Sequence, residues 1–204
     1  MTLDTLETLP AIPPLHFFAL TIEATQGKKG TLLPDTSPLL GGYKFADVTF
    51  HWNERGIQLE VEVRKPFEGV FYPDYEKGDA FEFFFDTRDL KTAGFPTRFC
   101  HHFVVLPKSV QGVQCQELTR FRTEDTHPLC QGDEIVVSTE FATRSYVANV
   151  TFPAHVLHGY DPLHFDRLGF TYRLHRTGGE PQYFSTLGQV EQSPSSWATL
   201  KLRS

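Results

Sequence analysis

The chain has 204 residues, 40% hydrophobic and 22% charged, with a formal net charge of −6. Such a balance describes one ordinary globular domain with room for a large core. It argues against nucleic acid or an anionic membrane surface as partner, and no apolar run approaches the ~18 residues of a transmembrane helix.

The 19 Phe and single Met favour strands over helices, and the 14 Pro and 15 Gly suit many turns. Cys100, Cys115 and Cys130 are odd in number and form no CxxC pair. They read as free, reduced thiols rather than a disulfide framework. The opening segment MTLDTLETLPAIPP is acidic and interrupted by prolines, without the basic start and apolar run of a signal peptide. A cytoplasmic protein is therefore the expectation, with specialised export left open.

Residues 1–15 read as a Pro-rich arm, and residues 16–204 as one domain. His16–Glu23 reads as a first strand, and Gln26–Tyr43 as a long loop. Ala46–Trp52 alternates Val48, Phe50 and Trp52 against polar residues. After the turn Asn53-Glu54-Arg55-Gly56, Ile57–Arg64 alternates cleanly, with Ile57, Leu59, Val61 and Val63 inward. Lys65–Lys77 is a loop carrying Phe67, Phe71, Tyr72 and Tyr75, as core plugs or as a ligand platform.

The stretch Gly78–Leu106 organises the rest. In Asp79–Asp86, Phe81, Phe83 and Phe85 fall on one face, with Glu82, Phe84 and Asp86 on the other. The aromatic face needs a second sheet to bury it; the acidic face needs water, a cation or a polar ligand. A second strand is predicted over Thr97–Leu106, placing Cys100 and His102 on one face and His101 on the other, with Phe103 and Val105. Further strands are predicted at Val113–Arg122, Ile135–Phe141, Arg144–Phe152, Leu168–Arg173, Gln182–Leu187 and Trp197–Leu202, with one helical turn at Pro153–His158. About nine or ten short strands and almost no helix describe an all-β fold, an antiparallel β-sandwich of jelly-roll or immunoglobulin-like type.

Several segments in order resemble a known pattern. They are a strand ending at Trp52, the strand IQLEVEV, the block YEKGDAFEFFFD, the segment HVLHGYDPLHFDRLGFTYRL and the ending PSSWATLKL. Together, over roughly Ala46–Leu202, they resemble the DOMON-like sandwich in the branch of carbohydrate-binding module family nine. TRFCHHF is similar to stand-alone members rather than to modules attached to glycanases. The resemblance implies a non-catalytic saccharide- or polyol-binding domain in which two Trp side chains clamp a terminal sugar. Tyr75 matches one clamp position, and Asp79-x-x-Glu82 matches the acidic pair, with Glu82 implied as the hydroxyl-binding carboxylate. The second clamp position falls in Val190–Ser193, which holds no aromatic, while Trp197 matches a core position.

The candidate ligand-binding residues are Tyr75, Asp79, Glu82, Asp86, Arg88, Arg98, His101 and His102. Oxygen-rich Glu82, Asp86 and Asp89 suit a hard cation such as calcium. Cys100 and His102, with Asp86 or Asp89, are the candidate donors for a transition metal, which makes a metal protein or an enzyme one alternative. His164 and Asp166 have the His-x-Asp spacing of an iron triad, but the only later His, His175, follows too closely to complete it. Axial haem ligation by Met and His, as in some DOMON relatives, is excluded because Met1 is the only Met. A second alternative is a protein-interaction sandwich whose aromatic loop contacts a partner.

Overall fold

Phe81, Phe83 and Phe85 do face a second sheet, and that packing sets the architecture. The structure, a computed structural model, describes residues 20–27 and 29–203. The proposed Pro-rich arm and the first half of the proposed strand His16–Glu23 lie outside the described residues.

Twelve strands occur among the described residues: β1 (Thr21–Thr25), β2 (Thr31–Leu32), β3 (Ala46–Asn53), β4 (Gly56–Val63), β5 (Ala80–Asp86), β6 (Cys100–Val110), β7 (Val113–Glu117), β8 (Val136–Phe141), β9 (Tyr146–Pro153), β10 (Arg167–His175), β11 (Gln182–Tyr183) and β12 (Ala198–Arg203). They form two sheets. One runs β1-β12-β10-β5-β6-β7, with β11 attached to β10; the other runs β2-β3-β4-β9-β8. Every pairing is antiparallel except β1 with β12, which run parallel. The fold is a β-sandwich.

The core is the alternation made solid. Phe81, Phe83, Phe85, Phe103 and Phe170 from one sheet meet Phe50, Leu59, Tyr146, Val150 and Phe152 from the other, all at most 1% exposed. Each ring so buried contributes about 1.5–3 kcal/mol, and edge-on pairs such as Phe85–Phe152, with centroids 5.1 Å apart, add to that.

The predicted hairpin at Asn53–Gly56 is present. Asn53 Oδ1 accepts the Arg55 amide at 2.7 Å, and Gly56 closes the turn at φ 143° against the Phe152 carbonyl, where a Cβ has no room.

Four boundaries differ from the periodicity, each for a local reason. The loop Gln26–Tyr43 contains β2 and one helical turn, α1 (Ser37–Leu40), with Pro38 in its first turn and Gly41 at φ 67° closing it. β7 stops at Glu117 rather than Arg122, because the Thr119 hydroxyl takes the His102 amide at 2.9 Å in place of a strand neighbour. Pro153 ends β9 and precedes the helical turn Ala154–Val156 instead of opening it. β11 covers two residues only. There the Gln182 side chain leaves its own sheet and bonds the other: Oε1 accepts the amides of Phe45 at 2.7 Å and Ala46 at 2.9 Å, and Nε2 donates to the Ala46 carbonyl at 3.0 Å.

Candidate functional site: a cleft above Glu82

On the outer face of the larger sheet, the register places Glu82 between Arg173 of β10 and Val104 of β6, and Phe84 between Thr171 and His102. Period-two alternation therefore gathers Arg173, His175, Glu82, Phe84 and His102 on one surface. The segments around Tyr75, Leu118–Arg120 and Val190–Trp197 rise around it. They leave a cleft of about 160 Å³, whose walls include Tyr75, Phe84, His102, Arg173, Glu191 and Trp197.

Glu82 lies beneath this cleft, fully buried. Its Oε1 accepts Arg173 Nε at 2.5 Å and His175 Nε2 at 2.6 Å. Its Oε2 accepts His102 Nε2 at 2.7 Å, Arg173 Nη2 at 3.0 Å and the Tyr75 hydroxyl at 3.4 Å. A carboxylate offers about four lone-pair sites, and all are occupied. Burial opposes ionisation of Glu82, but the bonds from His102, His175 and Arg173 outweigh it and hold the carboxyl well below its ordinary range. The same contact raises Arg173 above its ordinary value despite the cost of burial. Burial and the nearby Glu82 charge push the Tyr75 phenol up, so it stays a hydroxyl.

The apolar side of the cleft is aromatic. Phe84 stacks on His102 at 4.3 Å and leans on Trp197 at 5.7 Å. The Trp197 indole donates to the Val190 carbonyl at 2.9 Å, fixing the loop that carries Glu191. Glu191 Oε2 is buried without a hydrogen-bond partner, 3.9 Å from Arg173 Nη2.

Of the residues expected at a site, Tyr75, Glu82 and His102 are brought together, and five others are not. Asp79 accepts the amides of Glu68 at 3.2 Å and Thr177 at 3.1 Å, tying two loops behind the sheet. Asp86 caps the turn after β5, its oxygens accepting the amides of Arg88 at 3.0 Å and Leu90 at 2.6 Å. Arg88 bonds the Thr87 and Gly159 carbonyls and lies over the Phe165 ring at 3.6 Å. Arg98 falls before β6 begins and pairs with Asp125. His101 points to the opposite face, as its alternation with His102 requires.

The donors proposed for a metal are likewise dispersed. Asp89 pairs with Lys91 at 2.7 Å and accepts the Thr199 hydroxyl at 2.7 Å. Cys100 packs against Phe84, Val190 and Trp197, and burial, helped by Asp86, pushes its thiol up to about 12. A thiol so poised is not a nucleophile. His164 pairs with Asp161 at 2.8 Å on the surface, and His175 belongs to the Glu82 network. Among the described residues, one group of three metal-type donors converges: His101, Glu117 and His127.

Arg173, His175, Glu191 and the lining role of Trp197 escaped the sequence reading. A signal for the first two existed. In Thr171-Tyr172-Arg173-Leu174-His175, the polar residues alternate with the core positions Tyr172 and Leu174, as in β5.

No family model matches the chain, and no curated protein matches it. Solved structures do. A carbohydrate-binding module of family 9 from Caldicellulosiruptor kristjanssonii in complex with cellotriose superposes with a TM-score of 0.61 at 15% identity, over 90% of this chain and 93% of that one. A module of the same description in complex with glucose gives a TM-score of 0.61 at 14% identity, over 90% and 95%. The chain therefore has the fold of the family 9 carbohydrate-binding modules.

Proposed function

We propose that this chain is a non-catalytic binding domain for a saccharide or similar polyol, held in the cleft above Glu82. The observation that carries the reading is the Glu191 carboxylate, whose Oε2 has no hydrogen-bond partner, in the wall of an aromatic-lined cleft beside Arg173. Glu191 meets Arg173 as a charge contact without a hydrogen bond, so its part-exposed carboxylate keeps acceptor capacity that a ligand hydroxyl could use. The size agrees, since a cavity of ~150 Å³ holds a six-membered ring. The solved structures of like fold, bound to glucose and cellotriose, support the same ligand class.

In this reading Glu82 does not touch the ligand. It fixes Arg173 and His102, so that the remaining N–H groups of the guanidinium and the other ring nitrogen of His102 meet hydroxyls, while Phe84, Trp197 and Tyr75 supply apolar surface for the ring's C–H face. Groups held this way lose little freedom on binding, which favours affinity.

Titration calorimetry with glucose and cellotriose tests this. One site per chain is expected, weakened roughly fivefold or more by Glu191→Gln, about 1 kcal/mol for one hydrogen bond. Absence of heat and of any competition at millimolar sugar would reject the assignment.

A further inference from the structure

Behind the cleft, on the inner face of β6, three side chains meet out of reach of water. His101 Nδ1 lies 2.8 Å and His127 Nε2 2.9 Å from one and the same oxygen, Glu117 Oε1. The Thr119 hydroxyl donates to that oxygen at 2.8 Å, and the Cys130 amide donates to Oε2 at 2.9 Å. His101 is 0% exposed, Glu117 2% and His127 7%.

The hydrogen-bond roles decide what belongs between them. The other nitrogen of His127, Nδ1, lies 2.6 Å from the Arg98 carbonyl oxygen. A carbonyl only accepts, so Nδ1 carries the proton. In a neutral imidazole Nε2 is then a bare lone pair, and it is aimed at a carboxylate. Two electron-rich atoms at that distance require a positive charge between them. His101 presents Nδ1 to the same oxygen, and its Nε2 is buried without a hydrogen-bond partner. His127, with one N–H toward a backbone carbonyl and its other nitrogen bare, has the usual arrangement of a metal-bound histidine.

We propose that His101, Glu117 and His127 form a buried site for one divalent transition-metal ion of the zinc type. Two imidazole nitrogens and a carboxylate oxygen are a zinc donor set, and the ligating atoms lie within 4.8 Å of one another. Zinc–ligand bonds of ~2.0–2.2 Å in tetrahedral geometry separate donors by roughly 3.4 Å. Each imidazole nitrogen then moves about half an ångström from its present 2.8 or 2.9 Å to the carboxylate oxygen.

The three donors are all buried, so the ion's role is structural, with the fourth tetrahedral position left to a non-protein ligand. It joins β6 and the end of β7 to the loop that brings in His127. Thr119 connects the two sides of β6: it bonds Glu117, it accepts the His102 amide, and it lines the cleft. Loading the site therefore stiffens one cleft wall.

The test uses the untagged protein, stripped with a chelator and dialysed against equimolar zinc chloride. About one zinc per chain is expected, with a raised Tm and, on cobalt substitution, visible d–d absorption. His127→Gln should lose both the ion and the cobalt spectrum, while the surface variant His155→Ala/His164→Ala keeps them. Should His127→Gln fail to fold, the cobalt spectrum of the native protein still decides, because without bound cobalt it stays blank. Retention of no zinc by the native protein overturns the site. So does zinc that survives His127→Gln or disappears in the surface variant. His127 would then be an imidazolium paired with Glu117.

Discussion

Arg173 grips Glu82 with two nitrogens, Nε to Oε1 at 2.5 Å and Nη2 to Oε2 at 3.0 Å, across the β10–β5 register. This fork-to-fork contact fixes the guanidinium plane relative to the sheet. It turns a charge buried at the heart of a β-sheet into the foundation of the cleft.

Removing one partner of such a pair leaves the other buried and uncompensated. Glu82→Ala should destabilise by about 3–5 kcal/mol. Calorimetry should read a fall in Tm of roughly 6–20 °C, at ~2–4 °C per kcal/mol for a chain of this size. Glu82→Gln keeps the shape but strands Arg173, and should fall in the same direction. A variant with unchanged Tm would show that the network carries no net stability.

The pH dependence follows from the sign of the shift. Glu82 and Glu117 are both held below their ordinary value of 4.5. Their contribution is complete above that pH and is lost as pH falls through the lowered folded-state values. Stability measured by urea titration should therefore decline steadily below about pH 4.5. Glu82→Gln should show a shallower decline, retaining the part due to Glu117. Equal slopes in the two proteins would contradict the assignment.

Gln182 is a sharper probe of how the two sheets are held. Gln182→Ala leaves the amides of Phe45 and Ala46 buried without acceptors, at ~1–3 kcal/mol each. Gln182→Glu restores the acceptor but sets a carboxylate oxygen against the Ala46 carbonyl, so it should be no better than Ala at neutral pH. Thermal unfolding of the pair checks this; full rescue by Glu would show that the donated bond to Ala46 is dispensable.

Thiol chemistry gives a direct measure of burial. Cys100 and Cys115 are 1% and 5% exposed, whereas Cys130 is half-buried. Burial and neighbouring carboxylates push the Cys100 and Cys130 thiols up to about 12. A disulfide reagent at pH 8 should modify at most Cys130, slowly, and all three only after unfolding. Rapid modification of Cys100 in the native protein would reopen a nucleophilic role.

Local pattern made much of this fold legible. The alternation of Phe81, Phe83 and Phe85 against Glu82 and Phe84 placed β5 to within one residue, and Asn53–Gly56 fixed its hairpin. Glu82 and His102 were readable as sharing one surface because the same alternation marks a polar face within a greasy strand, whereas Tyr75 was singled out only by the family resemblance. Arg173 and His175 were not, because they reach Glu82 from 91 and 93 residues away, through a register that no local spacing encodes. Arg88 and Arg98 misled for the complementary reason. They are near Glu82 in sequence, but they lie in the connection between β5 and β6, where alternation no longer says which way a side chain points. Glu117 and His127 carry no motif spacing at all; only the closing of the loop over β6 joins them.

The parallel pairing of β1 with β12 has a mechanical consequence. Thr21 sits beside Thr199 and Thr25 beside Arg203, so the chain enters this pair at one end and leaves it at the other. Tension applied at residues 20 and 203 therefore slides the two strands lengthwise past each other. The evenly spaced hydrogen bonds of a parallel ladder share that load and must yield together, instead of opening one by one like a zip.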